Sequence, residues 1–164
     1  MDTILRSFQV WLGSTRLSWF MSHSVVAWTT CAALHFIGLT LLLGTVGLFD
    51  LRLLGVAKGL SPGAMHRLVP WGILGFAINL ITGTLFFVGQ PDRYFRNPAF
   101  EIKLVFLVIL GINVLAFYSI VHRKVAALGP GDSAPLGAKI VAATSLLLWV
   151  GVIIAGRMVA FFVF

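Results

Sequence analysis

Four histidines carry most of the metal-binding chemistry this sequence offers. His35 stands well inside a run without Asp, Glu, Lys or Arg, with Cys31 four residues before it and Gly38 three after. An imidazole at that depth can ligate a metal or the iron of a b-type haem, with a small neighbour leaving room for a flat macrocycle. The plainer role is a neutral histidine bonded to a carbonyl or a hydroxyl. His66 and His122 border two later apolar runs, each next to an arginine (Arg67, Arg123), and Asp50 closes the first run on the same side. Neutral imidazoles with a carboxylate suit copper or zinc, and two facing imidazoles suit a haem iron. They also suit an ordinary membrane interface, with Asp50 paired to an arginine. Met21 and His23 put a thioether and an imidazole two residues apart, a weak copper signal. Arg157 has the geometry to hold a haem propionate in a bidentate way, or to snorkel to the surface. His35 and His122 lie roughly ten residues of helical rise apart, about 15 Å, which excludes them as axial ligands of one iron within one chain.

Positioning such residues requires a scaffold, and composition says which kind. Apolar residues make up 59% of the 164 and charged residues only 10%, far below the roughly 25% charged of a soluble domain. The mean hydropathy is +1.01. Cys31 is the single cysteine, which excludes an intramolecular disulfide and any cysteine-rich metal centre. The net charge of +7 comes from basic residues placed between apolar runs, a pattern of membrane flanks rather than nucleic-acid binding. There is no phosphate loop, no HExxH and no nucleophilic triad, and too few carboxylates lie in the runs for an acidic proton relay.

Four uncharged stretches lie between His23 and Asp50, Arg67 and Asp92, Lys103 and His122, and Lys139 and Arg157. A helix needs roughly 20 mainly apolar residues to cross the hydrocarbon layer. Helices are expected at about 24–54, 67–89, 99–123 and 138–162. The connections carry Gly and Pro: Gly59, Pro62 and Gly63, then Pro91 and Pro98, then Gly129, Pro130 and Pro135. Short connections make consecutive helices antiparallel neighbours. The expectation is an all-α, integral membrane four-helix up-down bundle over residues 23–164. Asn79 and Asn113 fall near mid-depth and are expected to bond across helices. Gly151 and Ala155 form a small-residue pair for close helix contact.

Residues 1–22 read differently. Ile4, Phe8, Trp11 and Thr15 share one helical face, with arginines elsewhere. An amphipathic helix in the membrane interface is expected. Basic residues divide evenly between the two sides of the bundle, so the positive-inside rule gives no orientation.

Several strings carry a likeness to a known family. They are Leu34-His35-Phe36-Ile37-Gly38, then Gly47-Leu48-Phe49-Asp50-Leu51-Arg52-Leu53-Leu54-Gly55, Pro70-Trp71, Asn97-Pro98-Ala99-Phe100, Gly111-Ile112-Asn113 and Gly156-Arg157. Together they resemble a family of small bacterial four-helix inner-membrane proteins of unknown function. The likeness covers nearly the whole chain and implies multi-pass insertion in the bacterial cytoplasmic membrane, with no activity to carry over. A more distant, architectural likeness is to b-type cytochrome bundles and copper-resistance membrane proteins. This chain lacks the two histidine pairs at matched depths that the b-type pattern has.

The functional expectation is a membrane protein that binds haem b, with a second site for copper or zinc, acting in electron transfer or redox sensing with a redox partner. His35, His66, His122 and Arg157 would serve the haem; Met21, His23, Asp50, His66 and His122 would serve the metal. Self-association through the glycine faces is expected. The rival readings are a small transport or channel protein, with Asn79, Asn113 and Arg157 along its route, and a non-catalytic oligomeric scaffold.

Overall fold

The computed structural model describes residues 2–162. Every regular element in that range is helical. Two short helices, α1 (Asp2–Gly13) and α2 (Arg16–His23), lead into α3 (Val25–Leu54). Then follow α4 (Pro62–His66), α5 (Val69–Gly89), α6 (Pro91–Tyr94) and α7 (Pro98–Ala116). A π-helical turn (Phe117–Val121), α8 (His122–Ala126) and α9 (Leu136–Met158) come next among the described residues. Four stretches are long and apolar enough to cross a membrane: Val25–Leu54, Pro62–Gly89, Pro98–Ala126 and Leu136–Met158. These lie close to the four helices expected from the uncharged runs.

The ends of these helices have local causes. Ser24 starts α3 by accepting from the Ala27 N–H at 3.2 Å, one of the donors a first turn leaves unpaired. Gly55 ends α3 in the left-handed region, φ 96°, which glycine enters without steric cost. The amphipathic segment is two helices rather than the expected one. Thr15 breaks it by capping α2, its hydroxyl accepting from Ser18 N–H at 3.2 Å. α2 then docks on α5 and buries Ser18 and Met21, so this segment is only partly a surface helix. On α1, Ile4, Phe8 and Trp11 remain exposed.

Outside, the spans present apolar side chains: Phe36, Ile73, Val108 and Leu147 are all more than half exposed, as helices facing lipid require. Inside, α3 packs along α5 and α9, and α7 packs on α9. The tightest approach is α3 to α5. A Cβ at Gly75 would lie 2.6 Å from the Gly38 carbonyl oxygen and 2.7 Å from the Leu42 nitrogen, so the two backbones touch where the glycines meet. Leu42, Leu110, Trp149 and Val152 form one buried cluster; Leu53, Phe117, Val121, Val125, Ala138 and Ala142 form another towards the α3 C-terminal end. At Gly151 the missing side chain admits the Phe106 ring, whose Cε2 would lie 2.6 Å from a Cβ there.

One expected neighbour pair is loose. α5 and α7 are consecutive spans, yet they do not pack along each other as the other helix pairs do. The connection through α6 is long enough to carry the chain across, and α3 and α9 fill the centre. Aromatic rings bridge the gap at the α6 end, where Phe87 stacks on Phe100 at 5.8 Å and Tyr94 meets Phe100 at 5.0 Å. Burial pushes the Tyr94 phenol above its ordinary value, against the opposing charge of Arg93.

Two polar side chains hold the loops. Arg52 is fully buried, and its guanidinium donates to three main-chain carbonyls: Leu60, Asp132 at 3.2 Å and Gly129 at 3.0 Å. It therefore ties the α3–α4 loop to the α8–α9 loop. Asn97 is 2% exposed. Its Oδ1 caps α7 by accepting from Ala99 N–H (3.1 Å) and Phe100 N–H (3.3 Å). Its Nδ2 donates to the carbonyls of Val159 (3.2 Å) and Phe162 (2.8 Å), fastening the chain end to the α6–α7 loop.

Candidate functional site

The gap between α5 and α7 is closed at the α4–α8 end by two imidazoles. His66 ends α4 and His122 begins α8, and their ring centroids are 5.6 Å apart at 63°. Neither ring makes a hydrogen bond to another described residue. The π-helical turn before His122 inserts an extra residue into the helical ladder, a feature often found at functional sites. Phe117 and Tyr118 from that turn pack on the His122 ring, with centroids at 6.0 and 5.3 Å.

Behind the histidines lies a cavity of about 200 Å³. Its walls include Phe49, Val69, Ile73, Val114 and Phe117, and its polar lining includes Thr45, Asp50, His66, Asn113 and Ser145. Asp50 comes from α3 and Ser145 from α9, both buried. Asp50 Oδ2 has no hydrogen-bond partner. Gly72 on α5 makes room for this wall, since a Cβ there would lie 2.6 Å from Thr45 Oγ1.

His35 is placed elsewhere, between α3 and α5. Its Nδ1 is 2.7 Å from Thr82 Oγ1, and Thr82 Oγ1 lies 2.6 Å from the Ile78 carbonyl oxygen. Two oxygens that close need the hydroxyl hydrogen between them, so Thr82 donates to Ile78 and accepts from His35. His35 therefore carries its proton on Nδ1 and keeps a bare lone pair on Nε2. The Phe86 ring packs edge-on at 5.6 Å, and Cys31 Sγ donates to the Thr82 carbonyl at 3.5 Å. The space beside Gly38, expected to admit a flat cofactor, is filled by Asn79, Ile78 and the Gly75 backbone.

The chain belongs to DUF6644, a family of unknown function. The family's sequence profile matches residues 8–162, which covers α2 to α9 and every residue of this site. No characterised protein and no solved structure matches this DUF6644 chain.

Other expected site residues of this family member are kept apart. Met21 is buried against Gly89, while His23 is exposed and stacks on Trp19 at 5.0 Å. The His23 Nδ1 sits 2.9 Å from the Trp19 carbonyl oxygen, so the two do not form a common site. Among the described residues, no three of His, Cys, Asp and Glu converge on one point; Asp50 lines the same cavity as His66 but does not complete a three-ligand set with His66 and His122. Arg157 is exposed in the last turn of α9, where a cation also complements the helix dipole. Asn113 bonds across to the Val141 carbonyl at 3.1 Å as expected, whereas Asn79 bonds back to Gly75 of its own helix at 2.9 Å. Sequence reasoning passed over Thr82, which fixes the His35 tautomer, and Ser145, which lies beside Asp50. Isolated hydroxyls in an apolar run leave no spacing signal; they gain meaning only from the helix they face.

Proposed function

We propose that this is a metal-binding protein of the bacterial inner membrane, with copper held between His66 and His122, acting in electron transfer or redox sensing. The observation that carries this reading is the 5.6 Å separation of two imidazoles that make no hydrogen bond to the described residues. Metal–nitrogen bonds of about 2.0 Å put two imidazole centroids about 5 Å apart around a tetrahedral ion and farther apart around a linear one. Small rotations of the two rings would meet that geometry. A porphyrin between the same rings would have to displace Phe117 and Tyr118, so an ion suits this pair better than haem. Remaining positions on the ion would be open to water or to a redox partner. Zinc is the non-redox competitor for the same ligands.

Haem b remains a second reading, carried by the bare Nε2 of His35 with its Nδ1–H bonded to Thr82. A ligating imidazole commonly has its other nitrogen fixed in this way. A self-associated assembly with haem between copies would supply the space that one chain fills with Asn79 and Ile78.

The test is metal analysis and a visible spectrum of the detergent-purified protein, followed by Cu(I), Cu(II) and Zn(II) titrations. Tight 1:1 binding is expected, with His66→Ala and His122→Ala each losing most of the affinity and the double change adding little. Additive single effects, or no binding above background, would refute the pair. Haem extraction that is positive in wild type and empty in His35→Ala would support the second reading; a haem-free wild type from haem-replete cells would end it.

A further inference from the structure

The cavity behind the histidines contains a charge problem that the metal reading leaves unsolved. Asp50 is 5% exposed and lies in a membrane span. A carboxyl group so placed is costly unless it is neutralised by a proton or met by a cation. Its neighbour Arg52 is committed to three loop carbonyls on another face of α3. Asp50 Oδ2 is left without a partner, beside empty space of about 200 Å³, several times the about 30 Å³ of one water.

The lining indicates what would fill that space. Asn113 spends its amide N–H on the Val141 carbonyl, which leaves its Oδ1 to accept. Ser145 places a hydroxyl beside Asp50. Carboxylate, amide oxygen and hydroxyl make three acceptors, the number a primary ammonium group needs for its three N–H donors. Apart from Thr45 and His66, the rest of the wall is apolar and aromatic, with Ile73, Phe117 and Tyr118 among its residues. An inorganic cation would find too few oxygens there to replace its water, while aromatic faces favour an organic cation. We propose that the cavity between α5 and α7 binds a small primary amine with an apolar body, its ammonium group on Asp50, Asn113 and Ser145. The proposal makes no use of a metal between His66 and His122, although His66 lines the same cavity.

The experiment uses full-length protein in nanodiscs, stripped with chelator, titrated calorimetrically at neutral pH with benzylamine and with benzyl alcohol. The two probes share a shape and differ in charge. Saturable benzylamine binding is expected, at least about tenfold tighter than the alcohol, since tenfold is about 1.4 kcal/mol. Asp50→Asn should lose that preference while retaining the alcohol's weak binding. Val114→Trp fills the cavity from its lipid-facing wall and leaves Asp50 in place; it should abolish binding of both probes, and it carries the test if Asp50→Asn does not fold. Equal affinity for the two probes would identify an apolar pocket for alkyl chains and overturn the proposal. So would unchanged benzylamine binding in either variant, or no saturable binding by the wild type.

Discussion

Asp50 and Arg52 are both buried, two residues apart on α3, and serve different parts of the protein. Residues at i and i+2 of a helix point in different directions. Asp50 reaches the cavity lined by α5, α7 and α9, whereas Arg52 reaches the loops that follow α3 and α8. The motif Asp-Leu-Arg-Leu-Leu-Gly therefore combines a cavity carboxyl group, a loop clamp and the left-handed glycine cap at Gly55.

Removing the clamp should loosen two loops at once. Arg52→Ala leaves three carbonyls without their charged donor and should cost about 3 kcal/mol or more. Arg52→Lys should recover little, because a single ammonium cannot reproduce the planar fork that reaches Leu60, Gly129 and Asp132. Thermal unfolding in detergent measures the loss, and limited proteolysis should cut first within 55–61 and 129–135. Wild-type stability in Arg52→Ala would show that the loops hold without it.

Gly75 and Gly44 should respond oppositely to the same change. Gly75→Ala drives a methyl group into the Gly38 carbonyl and the Leu42 nitrogen, backbone atoms that move only if α3 and α5 separate, at roughly 1–3 kcal/mol. A Cβ at Gly44 meets nothing within 4 Å, so Gly44→Ala should be neutral or slightly stabilising. Matched unfolding curves of the two variants test this, and equal midpoints would contradict the close approach of the helices.

The protonation of His35 is directly observable. With Thr82 donating to Ile78, nitrogen resonances of ¹⁵N-labelled histidine should show His35 protonated on Nδ1 and bare on Nε2. Thr82→Val removes the acceptor and should yield a mixture of tautomers. A wild-type His35 already protonated on Nε2 would exclude the hydrogen-bond directions argued above and the haem reading that rests on them.

The sequence by itself determined the membrane class, the four spans and their loops, because bilayer thickness and the cost of charge in lipid act on composition and run length alone. It also brought His66 and His122 to one end of adjacent spans by counting along the helices, and the 5.6 Å ring separation follows that count. Tertiary structure decided the rest. Whether α5 and α7 pack or stand apart depends on which helices claim the glycine faces, and Gly38 and Gly75 commit α5 to α3. Arg52 and Asn97 look like flank and loop residues in the sequence, yet each binds carbonyls far along the chain. Such long-range bonds have no periodicity to betray them. The places of Thr82 and Ser145 were equally hidden, since a polar group in an apolar run acquires its role from whatever the opposite helix places against it.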